Sequence, residues 1–411
     1  MLAAESDARM GEADQLAIAA QHAITRETKG ERPYFRFVAS AEAIEDSDPF
    51  RREGELYSAK LEAGQTVYSF GRAGATRAAA QAGYDRFAAA RSLTEQDIML
   101  EAAQKAIAVM AAYDRLQVQA RYKKVHDRRL EDSEASEGQK LASITDLRQV
   151  RARQGQAYAS LLLAKDRFAG AQLDLFKLTL SGFAAKVLTF AVGVDEVAAP
   201  TLPALMTAIV KGPELAKLSS DAARASADYD RSKADRFPDI SVQGSIQSAE
   251  IDGSDADTSR IGIQFSVPLY EGGALSAQIS ERAALKKAAE YRLDYARRAL
   301  LIEVKNAWAG LGAARAAYAA WETALEDRKA ALNDIKAETD KGMRPVSDLY
   351  DFEQATLEDE LQLIGLRFDV LERCFVMLRL AGLLDGDSEA ICAALSWPTG
   401  MDGVTVEMGD M

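Results

Sequence analysis

The sequence predicts a mainly α protein with a transmembrane β portion. It is built from two tandem repeats, each a strand pair followed by long antiparallel coiled-coil helices. Three observations carry that prediction. Segments of alternating apolar and polar residues come in two pairs, at about 33–70 and about 238–270, and period two marks a strand with unlike faces. Proline-free stretches, from Pro49 to Pro200 and from Pro268 to Pro345, leave room for helices of about 65 residues, roughly 100 Å long. In the later stretch apolar residues keep a seven-residue spacing for about six heptads, the pattern of a coiled-coil seam.

Taken in order, residues 1–30 read as a polar, alanine-rich helix that enters mid-pattern with nothing to cap its start. Pro33 opens the first strand, in which Phe35, Phe37, Ala39 and Ala41 face one way and Arg36, Val38, Ser40 and Glu42 the other. After a charged loop, Tyr57, Ala59, Leu61, Ala63 and Val67 alternate with Ser58, Lys60, Glu62, Gly64 and Thr66. A long helix from Ala73 to about Ser133 and a return helix over about 143–181 complete the first repeat, residues 1–181. Residues 182–212 are broken by Gly182, Gly193, Pro200, Pro203 and Gly212 and read as the link between repeats.

The second repeat, 213–384, opens with a short helix to about 235. Its first strand alternates Ile240, Val242, Gly244 and Ile246 with Ser241, Gln243, Ser245 and Gln247. An acidic, glycine-containing loop follows. Then Ile261, Ile263, Phe265, Val267 and Leu269 alternate with Gly262, Gln264, Ser266, Pro268 and Tyr270. Each segment has about nine to eleven residues, the length of a tilted strand crossing a bilayer. One such pair would equally suit a hairpin on a soluble core; its recurrence in two copies favours the membrane. In the helix over 274–340, Val304, Leu311, Tyr318, Leu325 and Leu332 hold one heptad register, and Leu293, Leu300, Ala307, Ala314 and Trp321 the other. The return helix steps through Leu357, Leu361, Ile364, Phe368, Leu371, Phe375 and Leu378. Residues 385–411 carry acidic side chains and no basic one, and are expected to be loosely ordered.

Composition excludes several functions. A net charge of −13 argues against nucleic acid as a partner. Two histidines and two cysteines leave little for metal, cofactor or nucleophile chemistry, so no cofactor, no metal and no enzyme activity are expected. Cys374, on the flank of a seam, reads as a small packing residue and Cys392 lies in the tail, so no structural disulfide is expected. No apolar run is long enough for a membrane helix. Met1-Leu2-Ala3-Ala4-Glu5 lacks the basic start and apolar core of a signal peptide, which counts against export unless the chain begins late.

Four strands cannot close a barrel, and an open sheet edge in lipid would leave its amides without partners. Barrels of the outer membrane need at least about eight strands, so two or three copies must pool theirs. Ser241, Gln243, Ser245, Gln264 and Ser266 would then line a water-filled bore, with Ile240, Val242, Ile261, Ile263, Phe265 and Val267 against outer-membrane lipid.

The ordered set Phe237-Pro238-Asp239-Ile240, Val267-Pro268-Leu269-Tyr270-Glu271-Gly272-Gly273 and Gly342-Met343-Arg344-Pro345-Val346-Ser347-Asp348-Leu349-Tyr350-Asp351 resembles the TolC family of outer-membrane channels. The resemblance runs from about residue 10 to Leu384 and includes a weaker first copy. It implies a homotrimer with a 12-stranded β-barrel on an α-helical barrel, placed in the outer membrane of a Gram-negative bacterium and extending through the periplasm. It also implies an exit duct for an inner-membrane ABC or proton-driven transporter, joined through a periplasmic adaptor (a membrane fusion protein). The cargo would be protein, as in type I secretion, or small molecules, as in efflux.

Carried over by position, the resemblance places Gly138, Lys140, Gly342 and Arg344 at the hairpin tips where adaptors dock. It places Arg344, Asp348, Asp351 and Asp146 at the periplasmic entrance, where a ring of carboxylates would favour cations. Asp348 also has a plainer reading, as a helix N-cap. Gln149 stands where the second repeat has Asp351, so any charge ring draws on one repeat only. A soluble coiled-coil scaffold without a membrane role would explain the seams and the absent signal, but not two strand pairs with unlike faces.

Overall fold

A computed structural model describes residues 7–44, 54–138, 144–179, 187–189, 200–251, 254–384, 392 and 405–407. The elements are α1 (Ala8–Lys29), β1 (Tyr34–Ile44), β2 (Gly54–Tyr68), α2 (Arg72–Gly138), α3 (Ile144–Thr179), β3 (Val187–Thr189), α4 (Leu202–Lys211), α5 (Pro213–Ala234), β4 (Asp239–Ile251), β5 (Ser254–Ser266), α6 (Ala274–Asp340), α7 (Val346–Leu380) and β6 (Thr405–Glu407). Helices α2 and α6 have 67 residues each, about 100 Å of continuous helix. They form because their sequences are rich in alanine and free of proline.

The four long strands make one sheet in the order β1-β2-β4-β5, every neighbouring pair antiparallel. The hairpin of each repeat is local, and β2 pairs with β4 to join the two repeats at the centre. Strands β1 and β5 are the two edges. β4 and β5 extend further than their apolar residues indicate. Ladder pairing runs from Asp239↔Ser266 to Ile251↔Ser254, so Asp255 and Asp257 belong to a strand rather than to the expected acidic loop. Backbone pairing tolerates polar residues where no apolar face has to be covered. At the other end β5 stops at Ser266, and Val267–Tyr270 run on without ladder partners.

The turns from strand to long helix differ between repeats. The second uses Gly272 (φ 62°) and Gly273 (φ 89°), and the first uses Phe70 (φ 48°) and Gly71 (φ 92°). Positive φ is costly for a phenylalanine. It is offset by aromatic contacts, since the Phe70 ring stacks on Phe237 at 5.8 Å and meets the edge of Tyr68 at 4.6 Å.

The chain divides into two compact units, one of residues 1–11, 92–212 and 298–411, the other of residues 12–91 and 213–297. The second unit holds the sheet. In the first, the predicted seam is buried at Leu300, Val304, Leu311, Ala314, Tyr318 and Leu325, and in the return helix at Leu357, Phe368, Leu371, Phe375 and Leu378. Trp321, in the same heptad register as Leu300 and Ala314, stays 39% exposed. Val109 and Leu116 of α2 pack against Ala164 and Phe168 of α3.

The expectation of no structural disulfide is overturned. Cys374, fully buried on α7, forms a disulfide with Cys392, the two Cα atoms 5.5 Å apart. The two cysteines, 18 positions apart in the sequence, lie within bonding reach.

Candidate functional site

In the sheet-bearing unit, the ladder fixes which side chains share a face. Ser241↔Gln264, Gln243↔Gly262 and Asp239↔Ser266 are partners, and Ser245 faces Arg260. Across the central pairing Glu62 faces Ser245 and Gly64 faces Gln243, and across β1 Arg36 faces Glu62. Gln243 Nε2 donates to Gln264 Oε1 at 2.6 Å along this polar face, and the Ser40 and Ser58 hydroxyls share a hydrogen bond of 2.9 Å. The other face pairs Ile240 with Phe265 and Val242 with Ile263, and aligns Phe37, Leu61 and Ile246 in one row. Ser241, Gln243, Ser245, Gln264 and Ser266 thus share one face, and Ile240, Val242, Ile261, Ile263 and Phe265 the other. Val267 lies past the last ladder pair, so pairing does not fix its side.

The apolar face is bare: Ile261 is 87% exposed, Ile263 77%, Phe35 75% and Phe37 69%. A contiguous uncovered apolar surface of this kind marks contact with lipid or another protein. Among the described residues no strand pairs with the outer edges of β1 and β5.

The helical unit holds the second group of candidates. α6 ends in a Schellman turn: Gly342 (φ 72°) donates its N–H to Thr339 O, and Met343 N–H reaches Glu338 O, both at 2.9 Å. Arg344 Nε donates to Glu338 Oε2 at 2.8 Å, within its own hairpin rather than to Asp348 or Asp351. Pro345 occupies the N-cap of α7 without a side-chain cap, so the N-cap reading of Asp348 is overturned. Asp348 instead sits in the first turn, where its charge complements the helix dipole. Asp351 accepts from Arg153 of α3 at 3.1 Å. Gly138 is the last residue of α2 and Asp146 lies in the first turn of α3, while Lys140 lies outside the described residues.

Sequence reasoning missed the cluster behind Asp351. Arg129 of α2 makes a two-pronged ion pair with Glu353 of α7, whose side chain is 7% exposed. The Tyr350 ring lies between Arg129 (5.0 Å) and Arg153 (4.9 Å). Tyr122 donates to Gln354 Oε1 at 2.8 Å and meets His126 edge-on at 4.4 Å. His126 is 1% exposed, and neither ring nitrogen has a hydrogen-bond partner among the described residues. Burial, then the Arg129 charge, holds its pKa below the ordinary histidine value. No periodic signal marked it: the α7 register runs back from Leu357 to Gln354 and Tyr350, so Glu353 stands beside the seam rather than on it.

Among the described residues no group of three or more His, Cys, Asp or Glu could hold a metal ion, and no helix is long and apolar enough to cross a membrane. Two strand pairs in one open sheet, together with long helices and a glycine-turned end of α6, are the elements that the sequence motifs call for. The chain is TolC-like, as its sequence motifs indicate, and residues 204–382 match the outer membrane efflux protein family. It is 23% identical over 400 residues to the outer membrane protein TolC of Vibrio cholerae, an alignment covering 92% of this chain and 90% of that one. To the alkaline protease secretion protein AprF of Pseudomonas aeruginosa it is 24% identical over 262 residues, 61% of this chain and 52% of the relative. A crystal structure of CusC superposes with a TM-score of 0.82 over 93% of this chain and 90% of that chain, at 15% identity. The expected outer-membrane location agrees with relatives that are themselves outer membrane proteins.

Proposed function

We propose that the chain is one of three identical subunits of a passive outer-membrane exit duct. The observation that carries this reading is the sheet: one bare apolar face, one polar face and two open edges. Joining β5 of each chain to β1 of the next pairs every edge, and three chains give twelve strands. The apolar residues then meet lipid, and Ser241, Gln243, Ser245, Gln264 and Ser266 line water. Residues 1–181 and 213–384 act as the two repeats, 182–212 as the link, and 385–411 as the tail.

At the entrance, Asp348 and Asp351, with Asp146 of the first repeat, would ring the bore and draw cations, with Arg344 beside them. The tips at Gly138, Lys140, Gly342 and Arg344 would meet a periplasmic adaptor, and through it an ABC or proton-driven inner-membrane transporter. Relatives named for efflux and for protease secretion support both small-molecule and protein cargo. The duct itself performs no bond chemistry. Light scattering on protein expressed behind an export leader and extracted in detergent should give a mass near three chains. A clean monomer with full strand content would sink the shared barrel.

A further inference from the structure

The polar face of the sheet carries a feature that its serines and glutamines do not explain. A recess of about 310 Å³ opens there, with Tyr34, Lys60, Glu62, Gln243 and Arg260 on its walls. Two of the rungs that cross it are short of side chains, because Gly64 faces Gln243 and Gln243 faces Gly262. Gly64 is required: the Tyr34 ring rests on it so closely that an added Cβ would lie 2.7 Å from the ring. Tyr34 is thereby held down as one wall, and Arg36 lies over its ring at 5.7 Å.

Charge is unbalanced around this recess. Lys60 Nζ pairs with Glu62 at 2.6 Å, and Arg36 faces the same carboxylate across the β1–β2 ladder. Arg260 faces Ser245, which itself faces Glu62, so two strand spacings, about 10 Å, separate Arg260 from that carboxylate. Arg260 has no ion pair among the described residues. Asp239, on the same face, is taken up by Arg72, and Glu42 stands six positions along β1 from Arg36, about 20 Å away. Three cations therefore share one carboxylate, in a concavity where Gln243 can offer an amide N–H.

We propose that this recess is an anion subsite for carboxylate groups of material in transit, opposite in sign to the aspartates at the helical tips. The inference rests on the reading of the polar face as the bore. In a trimer the three recesses would carry a net six positive charges, enough to set the ion preference of a narrow aqueous passage. Arg260 and Lys60 would hold the carboxylate, Gln243 would donate to it, and Arg36 would keep Glu62 from neutralising both.

The test uses full-length trimers in detergent and in planar bilayers, comparing the native protein with the triple variant Arg36→Gln, Lys60→Gln, Arg260→Gln and with Glu62→Gln. Calorimetric titration with citrate should show binding that weakens at least tenfold in the triple variant and tightens in Glu62→Gln. In asymmetric KCl the triple variant should shift the reversal potential toward cations by at least twofold in permeability ratio, and Glu62→Gln should shift it the other way. Absence of citrate binding to folded native trimers would overturn the subsite whether or not the protein conducts. Conducting trimers whose selectivity ignores all four side chains would overturn it too. Citrate binding without any conductance would leave the subsite standing and sink the bore. If the triple variant fails to assemble, Glu62→Gln alone decides, since it removes a counter-charge and leaves every cation in place.

Discussion

Arg153 of α3 donates to Asp351 of α7 at 3.1 Å, tying the return helix of the first repeat to that of the second. The arginine singled out by the sequence, Arg344, spends its guanidinium on Glu338 of its own hairpin. Closing contacts between helices are therefore expected at Arg153 rather than at Arg344.

Replacing Arg153 by Gln should raise leak current through the assembled duct more than replacing Arg344 by Gln. Asp351 is 74% exposed, so each pair contributes about 0.2–1 kcal/mol, and three copies opening together about 0.6–3 kcal/mol. Basal conductance of the two variants, recorded side by side in planar bilayers, checks the order. Equal leak would return the closing role to Arg344 or deny it to both.

His126 makes stability depend on pH in a stated direction. Its folded pKa lies below the ordinary 6.5 because burial and Arg129 disfavour the charged ring. Above pH 6.5 the ring is neutral folded and unfolded, and contributes nothing. As pH falls below 6.5 the unfolded chain takes up a proton that the folded one refuses. Stability is then lost by up to about 1.4 kcal/mol per pH unit, until the folded pKa is reached. Asp114, pushed up by burial, acts with the opposite sign at lower pH. The comparison is thus native protein against His126→Phe, by thermal denaturation between pH 7.5 and 5. Parallel curves would mean that His126 does not titrate differently on folding.

The two sheet faces should respond unequally to the same charge. Phe265→Arg places a cation beside Ile261 and Ile263, at a cost of about 2–4 kcal/mol if that face meets lipid near mid-bilayer. Gln264→Arg, one residue away on the polar face, should be far milder. Heat-resistance of the trimer on gels reads both; similar damage would mean that the faces are not lipid and water.

The Cys374–Cys392 bond closes an 18-residue interval and joins Cys392 to a fully buried position of α7. In the chain-entropy account a loop of this size is worth about 3 kcal/mol. Reduction, or Cys392→Ser, should lower the melting temperature of the helical unit and leave strand content unchanged. Mass mapping without reductant should recover the linked peptides; free thiols in protein taken from the periplasmic side would contradict the bond.

Much of this architecture was legible because it rests on long periodic signals. The heptad from Val304 through Leu311, Tyr318 and Leu325 is buried as its spacing requires, and alternation over Ile261, Ile263 and Phe265 marks one side of a ladder. What escaped was set by contacts between distant parts of the chain. Arg129, Arg153 and Tyr350 come from three helices, and no local pattern announces that they meet. Asp255 and Asp257 are strand residues because β4 is there to pair with them, against their own low strand propensity. Cys392 looked like an isolated tail residue because a bond to Cys374 leaves no periodic trace in the sequence. The N-cap reading of Asp348 failed because Pro345 starts α7 three residues earlier than a capping aspartate would.

The central claim is that three copies enclose a water-filled passage through a membrane, and conductance tests it most directly. Detergent-purified trimers, native and Arg153→Gln, added to one side of a planar bilayer should insert and give discrete, uniform current steps, with the variant open more of the time. Folded trimers of either form that bind the bilayer with full strand content and never pass a current step would contradict the account.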